Sequence, residues 1–179
     1  ISMKQRIYFI MADENVFHPI FVARVIKAIG NKFDVVGITL ARDTHKEGFL
    51  SFIKKQIHLW GIVGFCSITF RSIYHTVLSD LGVNTQLSYK TIAKSQKIEY
   101  FETFDVNSSE HLAFLKKRKI DIILCSCGQI FKKELLSIPK IACINRHASL
   151  LPKYGGMLPV FWTMYFGEKE FGVSIHVMT

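Results

Sequence analysis

From Arg6 to Ala12 the chain reads Arg-Ile-Tyr-Phe-Ile-Met-Ala, a run with no polar alternation after its first residue. A strand with one wet face alternates with period two, so a run that is apolar throughout belongs to a strand covered on both faces, as in a parallel sheet. After polar Asp13-Glu14-Asn15 the pattern changes. Phe21, Val25, Ile26 and Ile29 recur at helical spacing between His18 and Ile29, and Gly30 supplies a stop. Phe33 to Leu40 is a second strand. Strand, helix, strand within about 35 residues is a βαβ unit with a right-handed crossover.

The same alternation continues. Phe49, Ile53, Ile57 and Trp60 keep helical spacing, Gly61 and Gly64 interrupt it, and a second helical stretch runs from Phe65 to Leu81. Gly82 to Lys97 reads as loop with some helix. Ile98 to Phe101, Ile120 to Cys125, Ala142 to Asn145 and Gly172 to Met178 read as strands, and Ser108 or Ser109 caps a helix reaching Lys119. The fold class is therefore α/β: a doubly wound, Rossmann-like, mostly parallel sheet with helices on both faces, its ligands beyond the carboxyl ends of the strands. The 179 residues, 49% hydrophobic and 21% charged, suit one globular domain and exclude a disordered chain.

Between Lys55 and Arg71 no Asp, Glu, Lys or Arg occurs, but Gln56, His58, Ser67 and Thr69 do. The stretch falls short of the roughly 20 apolar residues a spanning helix needs, so it reads as a buried or interface helix, with a homodimer as one partner. The N-terminus lacks the pattern of a signal peptide, and four cysteines in apolar runs make no disulfide scaffold; a cytoplasmic location is expected. Cys125-x-Cys127 fits no common zinc spacing, and no metal is expected. His18, His45, His58, His75 and His111 show no ligand spacing.

The balance of 23 Lys+Arg against 14 Asp+Glu gives +9. The charges lie in short runs, such as Lys116-Lys117-Arg118-Lys119, where helices show solvated faces; an anionic partner stays open. No Gly-x-Gly-x-x-Gly follows the first strand, and acidic Asp13 and Glu14 there oppose a pyrophosphate.

Chemistry concentrates between Ile141 and Trp162. Asn145 and His147 lie two apart at a strand end, so both side chains share one face. An amide and a protonated imidazole can both donate to a carbonyl oxygen that becomes negative, which suits acyl transfer. Taken alone, such a pair is more often a polar strand end bonded to a neighbouring loop.

The surrounding motif adds to this. Asn145-Arg-His147-Ala-Ser149-Leu-Leu-Pro-Lys-Tyr154-Gly-Gly156, then Pro159, Trp162, Gly167 and Gly172-Val-Ser-Ile-His176, with Cys127-Gly-Gln-Ile-Phe131 upstream, resembles the 10-formyltetrahydrofolate-dependent formyltransferase family. The resemblance is strongest from Asp121 to Thr179. It implies transfer of a formyl group from N10-formyltetrahydrofolate to a primary amine. Asn145 would polarise the formyl oxygen, and His147 would stabilise the oxyanion and move a proton. The backbone of Gly128, Gln129 and Ile130 would read the pterin, with Phe131 as apolar wall; core packing is the alternative for Ile130 and Phe131. Tyr154 and Gly156 would face the amine substrate, although Tyr154 is equally a packed loop aromatic. Phe161 and Trp162 read as core, and Ser149 is not expected to be a nucleophile.

Two departures qualify this. The family's catalytic Asp, expected a few positions after Met178, falls past Thr179, so residues 3–179 read as a catalytic domain truncated at its C-terminus and poorly active as given. Gly155 also stands where the family has Arg. The absent phosphate loop argues against a glycinamide ribonucleotide substrate. The Leu158–Trp162 stretch and the apolar middle favour a nucleotide-linked amino sugar as acceptor. Methionyl-tRNA, or a non-catalytic ligand-binding role, is the alternative.

Overall fold

The computed structural model describes residues 4–14, 17–42, 49–81 and 88–179. Asn15, Val16, His45 and the segment 82–87 therefore lie outside the described residues. The elements are β1 (Arg6–Ala12), α1 (His18–Ile29), β2 (Asp34–Ala41), α2 (Phe49–Asp80), α3 (Tyr89–Gln96), β3 (Glu99–Thr103), α4 (Ser109–Lys116), β4 (Ile122–Ser126), α5 (Lys133–Leu136), β5 (Ala142–His147), α6 (Pro159–Tyr165) and β6 (Ser174–Val177). One six-stranded sheet runs in the order β3-β2-β1-β4-β5-β6, parallel except for the β5–β6 pair. The strand order reverses between β1 and β4, which opens a crevice at their carboxyl ends.

β1 is central, and both of its faces are sealed. Ile7, Phe9 and Met11 pack with Val22 of α1 and with Tyr89 and Ile92 of α3. Tyr8 and Ile10 face the other way, onto Leu112 and Leu115 of α4 and Leu135 of α5. Gly37 allows the Tyr8 ring its place: a Cβ at that position would lie 2.5 Å from the Tyr8 ring.

A polar chain crosses this core. His111 Nδ1 lies 2.7 Å from the Val106 carbonyl, which only accepts, so Nδ1 carries the proton. Nε2 is then the acceptor, and the Thr39 hydroxyl donates to it at 2.9 Å while accepting from the Tyr8 hydroxyl at 2.8 Å. Every hydrogen in this chain is thereby assigned a direction. Burial holds the His111 imidazole below its ordinary range and pushes the Tyr8 phenol up.

Several elements differ from the sequence reading. α2 is interrupted at Gly61 (φ 67°) and continues through Gly64, so only one of the two glycines breaks it. The apolar stretch of α2 is largely exposed rather than buried. Phe161 and Trp162 are also not core, being 39% and 40% exposed on α6. β5 reaches His147, two residues past the expected end. Ser108 does cap α4, its hydroxyl accepting from the His111 N–H.

The lowered His111 value fixes a sign. The unfolded chain takes up a proton at this ring near pH 6.5 and the folded chain does not, so stability is lost as the pH falls below about 6.5. His111→Gln is expected to lower stability at neutral pH by about 1–3 kcal/mol. The variant's stability should fall less steeply toward acid than that of the parent in urea denaturation; His18, also lowered by burial, contributes equally to both proteins.

Candidate active site

β5 lies between parallel β4 and antiparallel β6, with Asn145 opposite His176 and His147 opposite Ser174. The period-two rule then places Asn145, His147, Ser174 and His176 on one face of the sheet. His176 Nδ1 lies 3.2 Å from the Val177 carbonyl and donates to it, which leaves Nε2 to accept from the Asn145 amide nitrogen at 3.3 Å. The Cys125 thiol donates to Asn145 Oδ1 at 3.5 Å. The amide is thus oriented from both ends, and one of its two N–H groups remains available for a ligand.

His147 is oriented by a loop. Its Nε2 donates to the Tyr154 carbonyl at 2.8 Å, so the other ring nitrogen, Nδ1, is the one left for chemistry. Tyr154 adopts left-handed backbone geometry (φ 56°), uncommon for a residue with a side chain. Buried Ser149 holds the same turn, its hydroxyl donating to the Lys153 carbonyl at 2.8 Å. The Ser174 hydroxyl joins the turn to β6, donating to Ser149 O and accepting from Leu151 N.

The Tyr154 side chain points elsewhere. Its hydroxyl donates to Glu168 at 3.0 Å, its ring stacks on Phe166, and Lys153 pairs with the same Glu168 oxygen. Lys153 and Tyr154 hold the Glu168 carboxyl below its usual range. The turn therefore brings a carbonyl, rather than the phenol, to His147. Gly156 is exposed, with open space where a Cβ would stand.

The loop after β4 starts beside the pair, since Cys125 is the register partner of Asn145. Gly128 also faces open space. The Gln129 side chain is fully engaged: it accepts from Val106 N and donates to the carbonyls of Arg42 and Phe104. Asn107 braces the next residues by donating to Ile130 O and accepting from Lys132 N. Ile130 is 84% exposed, whereas Phe131 is in the core and supports the loop from beneath. Arg42 completes the rim by bridging Asp13 and Glu102. Burial pushes the Cys143 thiol up to about 11 and raises Cys125 further, which suits packing rather than thiolate chemistry.

At the start of α1 the Glu14 carboxylate accepts from the N–H groups of Phe17 and His18. These are the donors an anion would use at a helix N-terminus.

His176, Ser174, Asn107 and Glu168 were not singled out from the sequence as site residues. The alternation in Gly172–Met178 places Ser174 and His176 on one face, but only the antiparallel register shows that this face meets Asn145. Asn107 and Glu168 give no local signal.

The open α/β sheet thus presents a donor amide and an oriented imidazole together at one strand end. A family model described as formyl transferase matches residues 11–179. The methionyl-tRNA formyltransferase of Pelotomaculum thermopropionicum is 39% identical over 90 residues, which span 50% of this chain and 29% of that protein. The methionyl-tRNA formyltransferase of Clostridium tetani is 55% identical over 64 residues, 35% of this chain and 21% of that protein. The matched stretches thus span less than a third of these curated relatives. A formyltetrahydrofolate deformylase from Pseudomonas syringae superposes with a TM-score of 0.61 at 14% identity, covering 99% of this chain and 47% of that one. The phosphoribosylglycinamide formyltransferase from Anaplasma phagocytophilum gives 0.58 at 14% identity, covering 98% of this chain and 65% of that one. The chain belongs to the formyl transferase family.

Ser149→Ala removes the hydroxyl that holds the turn beneath His147. The expected loss is about 1 kcal/mol of stability in urea denaturation. The imidazole should also lose its fixed setting, read as averaged His147 ring resonances by NMR.

Proposed function

We propose that this chain transfers a formyl group from N10-formyltetrahydrofolate to a primary amine, with Asn145 and His147 as the catalytic pair. The observation that carries this reading is that each has one polar position uncommitted on the same face: an amide N–H of Asn145 and Nδ1 of His147. The residues also suit the donor. Gly128 leaves its backbone approachable, and Ile130 offers exposed apolar surface beside it. Gly128, Gln129 and Ile130 would hold the pterin, with Phe131 and the side chain of Gln129 keeping the loop in place. On the amine side, Tyr154 positions His147 through its carbonyl, and Gly156 leaves the entrance open.

During transfer, the formyl carbon gains a bond to the acceptor nitrogen and loses its bond to the donor nitrogen. The Asn145 N–H donates to the formyl oxygen as charge builds on it. His147 Nδ1 takes the proton that the attacking amine releases and passes it to the donor nitrogen as that nitrogen leaves, and the Tyr154 carbonyl, already accepting from Nε2, stabilises the transient imidazolium. Donors fixed before reaction need no reorganisation when the charge appears, which is the source of their effect.

For the acceptor, the names of the relatives above support methionyl-tRNA, and a net charge of +9 suits a polyanionic substrate. The amino sugar favoured by the sequence motif has no counterpart among them. Glu14 at the start of α1 disfavours a ribonucleotide phosphate there.

Incubation of the full-length protein with N10-formyltetrahydrofolate should give formylated methionyl-tRNA, and formylation of a nucleotide-linked amino sugar but not of methionyl-tRNA would overturn the acceptor assignment. Asn145→Ala and His147→Ala are each expected to lower the rate by about 10²-fold or more, by analogy with loss of an oxyanion donor. Normal turnover in either variant would remove that residue from the mechanism.

A further inference from the structure

The second half of α2 carries its apolar side toward water. Val63, Cys66, Phe70, Ile73 and Val77 follow the three-four spacing of a helix-pairing seam. At about 100° per residue they fall within an arc of about 80°, directly opposite His75. His75 is buried, so the opposite arc faces outward. Val63 is 84% exposed, Phe70 73%, Ile73 58% and Val77 48%, and Cys66 is exposed as well. Ile62 and Tyr74 flank the seam and are also exposed. An amphipathic helix ordinarily turns such a stripe inward, onto a core.

We propose that this face is the contact between two copies of the chain, paired through α2. Two observations select a second copy. The first is charge. Between Gln56 and Ser79 the one Asp, Glu, Lys or Arg is Arg71, and its guanidinium lies 4.9 Å over the Phe17 ring. A chain of net charge +9 repels its own copy wherever basic surfaces meet; along this seam no like charges come together. An anionic membrane surface would instead be met by cations at the rim of the apolar arc, where this helix has Ser67, Thr69 and Thr76.

The second observation is area. At roughly 150–200 Å² per large apolar side chain, the exposures of Ile62, Val63, Phe70, Ile73, Tyr74 and Val77 leave on the order of 600–700 Å² of apolar surface in water. That exceeds what a typical monomer shows in one patch, roughly 300–600 Å². Doubled across a two-fold axis it reaches the lower part of the range of stable interfaces, about 1,200–2,000 Å². Phe70 is the middle of the five seam positions, so a two-fold axis centred on the seam passes beside it.

Analytical ultracentrifugation of the full chain at micromolar concentration tests this. The parent protein is expected to sediment as a dimer. Phe70→Glu and Val63→Glu should each weaken self-association by roughly a hundredfold, because pairing would bury an unpaired carboxylate. Both variants should keep the parent's far-ultraviolet circular dichroism, and Phe104→Glu, at an exposed site on another loop, should remain dimeric. A parent that is monomeric throughout, or a dimer that survives both α2 substitutions, overturns the assignment. Co-sedimentation of a monomeric parent with phosphatidylcholine–phosphatidylglycerol vesicles, lost in Phe70→Glu, would assign the face to a membrane instead.

Discussion

The fold depends on a contact between a ring and a missing side chain. Tyr8 is fully buried at the centre of the sheet, and its ring occupies the space that a Cβ on Gly37 would need. This lets β2 lie close to β1 and sends the Tyr8 hydroxyl to Thr39, and from there to His111. One line of hydrogen bonds thereby joins β1, β2 and α4 inside an otherwise apolar layer. The His111 tautomer is dictated by the Val106 carbonyl, so the chain has one satisfied arrangement and protonation would break it.

From that centre the register passes outward. β1 pairs with β4, β4 with β5 and β5 with β6, so each strand hands its alignment to the next. A slip of one residue along β5 would turn Asn145 and His147 to the opposite face and bring Ile144 and Arg146 in their place. Arg146 is held on its own side, with its guanidinium 4.7 Å over the Phe21 ring of α1. The packing that fixes Arg146 on one face thus also fixes the amide and the imidazole on the other.

The parallel core was legible in the sequence because its signals are local: an apolar run with no alternation, a helical period that ends at Gly30, a serine ahead of α4. The pairing of Asn145 with His147 on one face was legible for the same reason, since period two needs no knowledge of neighbours. His176 was not, because its place beside Asn145 follows from an antiparallel pairing across 31 residues of chain. Tyr154 was read as a side chain, whereas its carbonyl is what reaches His147; a backbone group carries no letter in the sequence. Phe161 and Trp162 were read as core, and the apolar stretch of α2 as buried or at an interface, from their hydrophobicity. Hydrophobicity states what a surface favours, and it does not say whether this copy of the chain supplies the cover.

The acidic turn after β1 and the braced loop after β4 divide the carboxyl edge between them. In open α/β sheets the helix N-terminus after β1 is the ordinary seat for a phosphate, because its N–H groups and dipole favour negative charge. Here Glu14 supplies that negative charge from within the chain and occupies donors of Phe17 and His18. Asp13, on the same turn, is bound to Arg42, which also holds Glu102. On the β1 side these charged groups are thereby bonded within the chain, three carboxylates to one guanidinium and two backbone N–H groups. On the β4 and β5 side the amide of Asn145 and one ring nitrogen of His147 keep uncommitted polar positions. The side-chain polar positions left uncommitted on this rim therefore lie at β5, because Asp13, Glu14, Arg42 and Glu102 are bonded to one another or to backbone N–H groups.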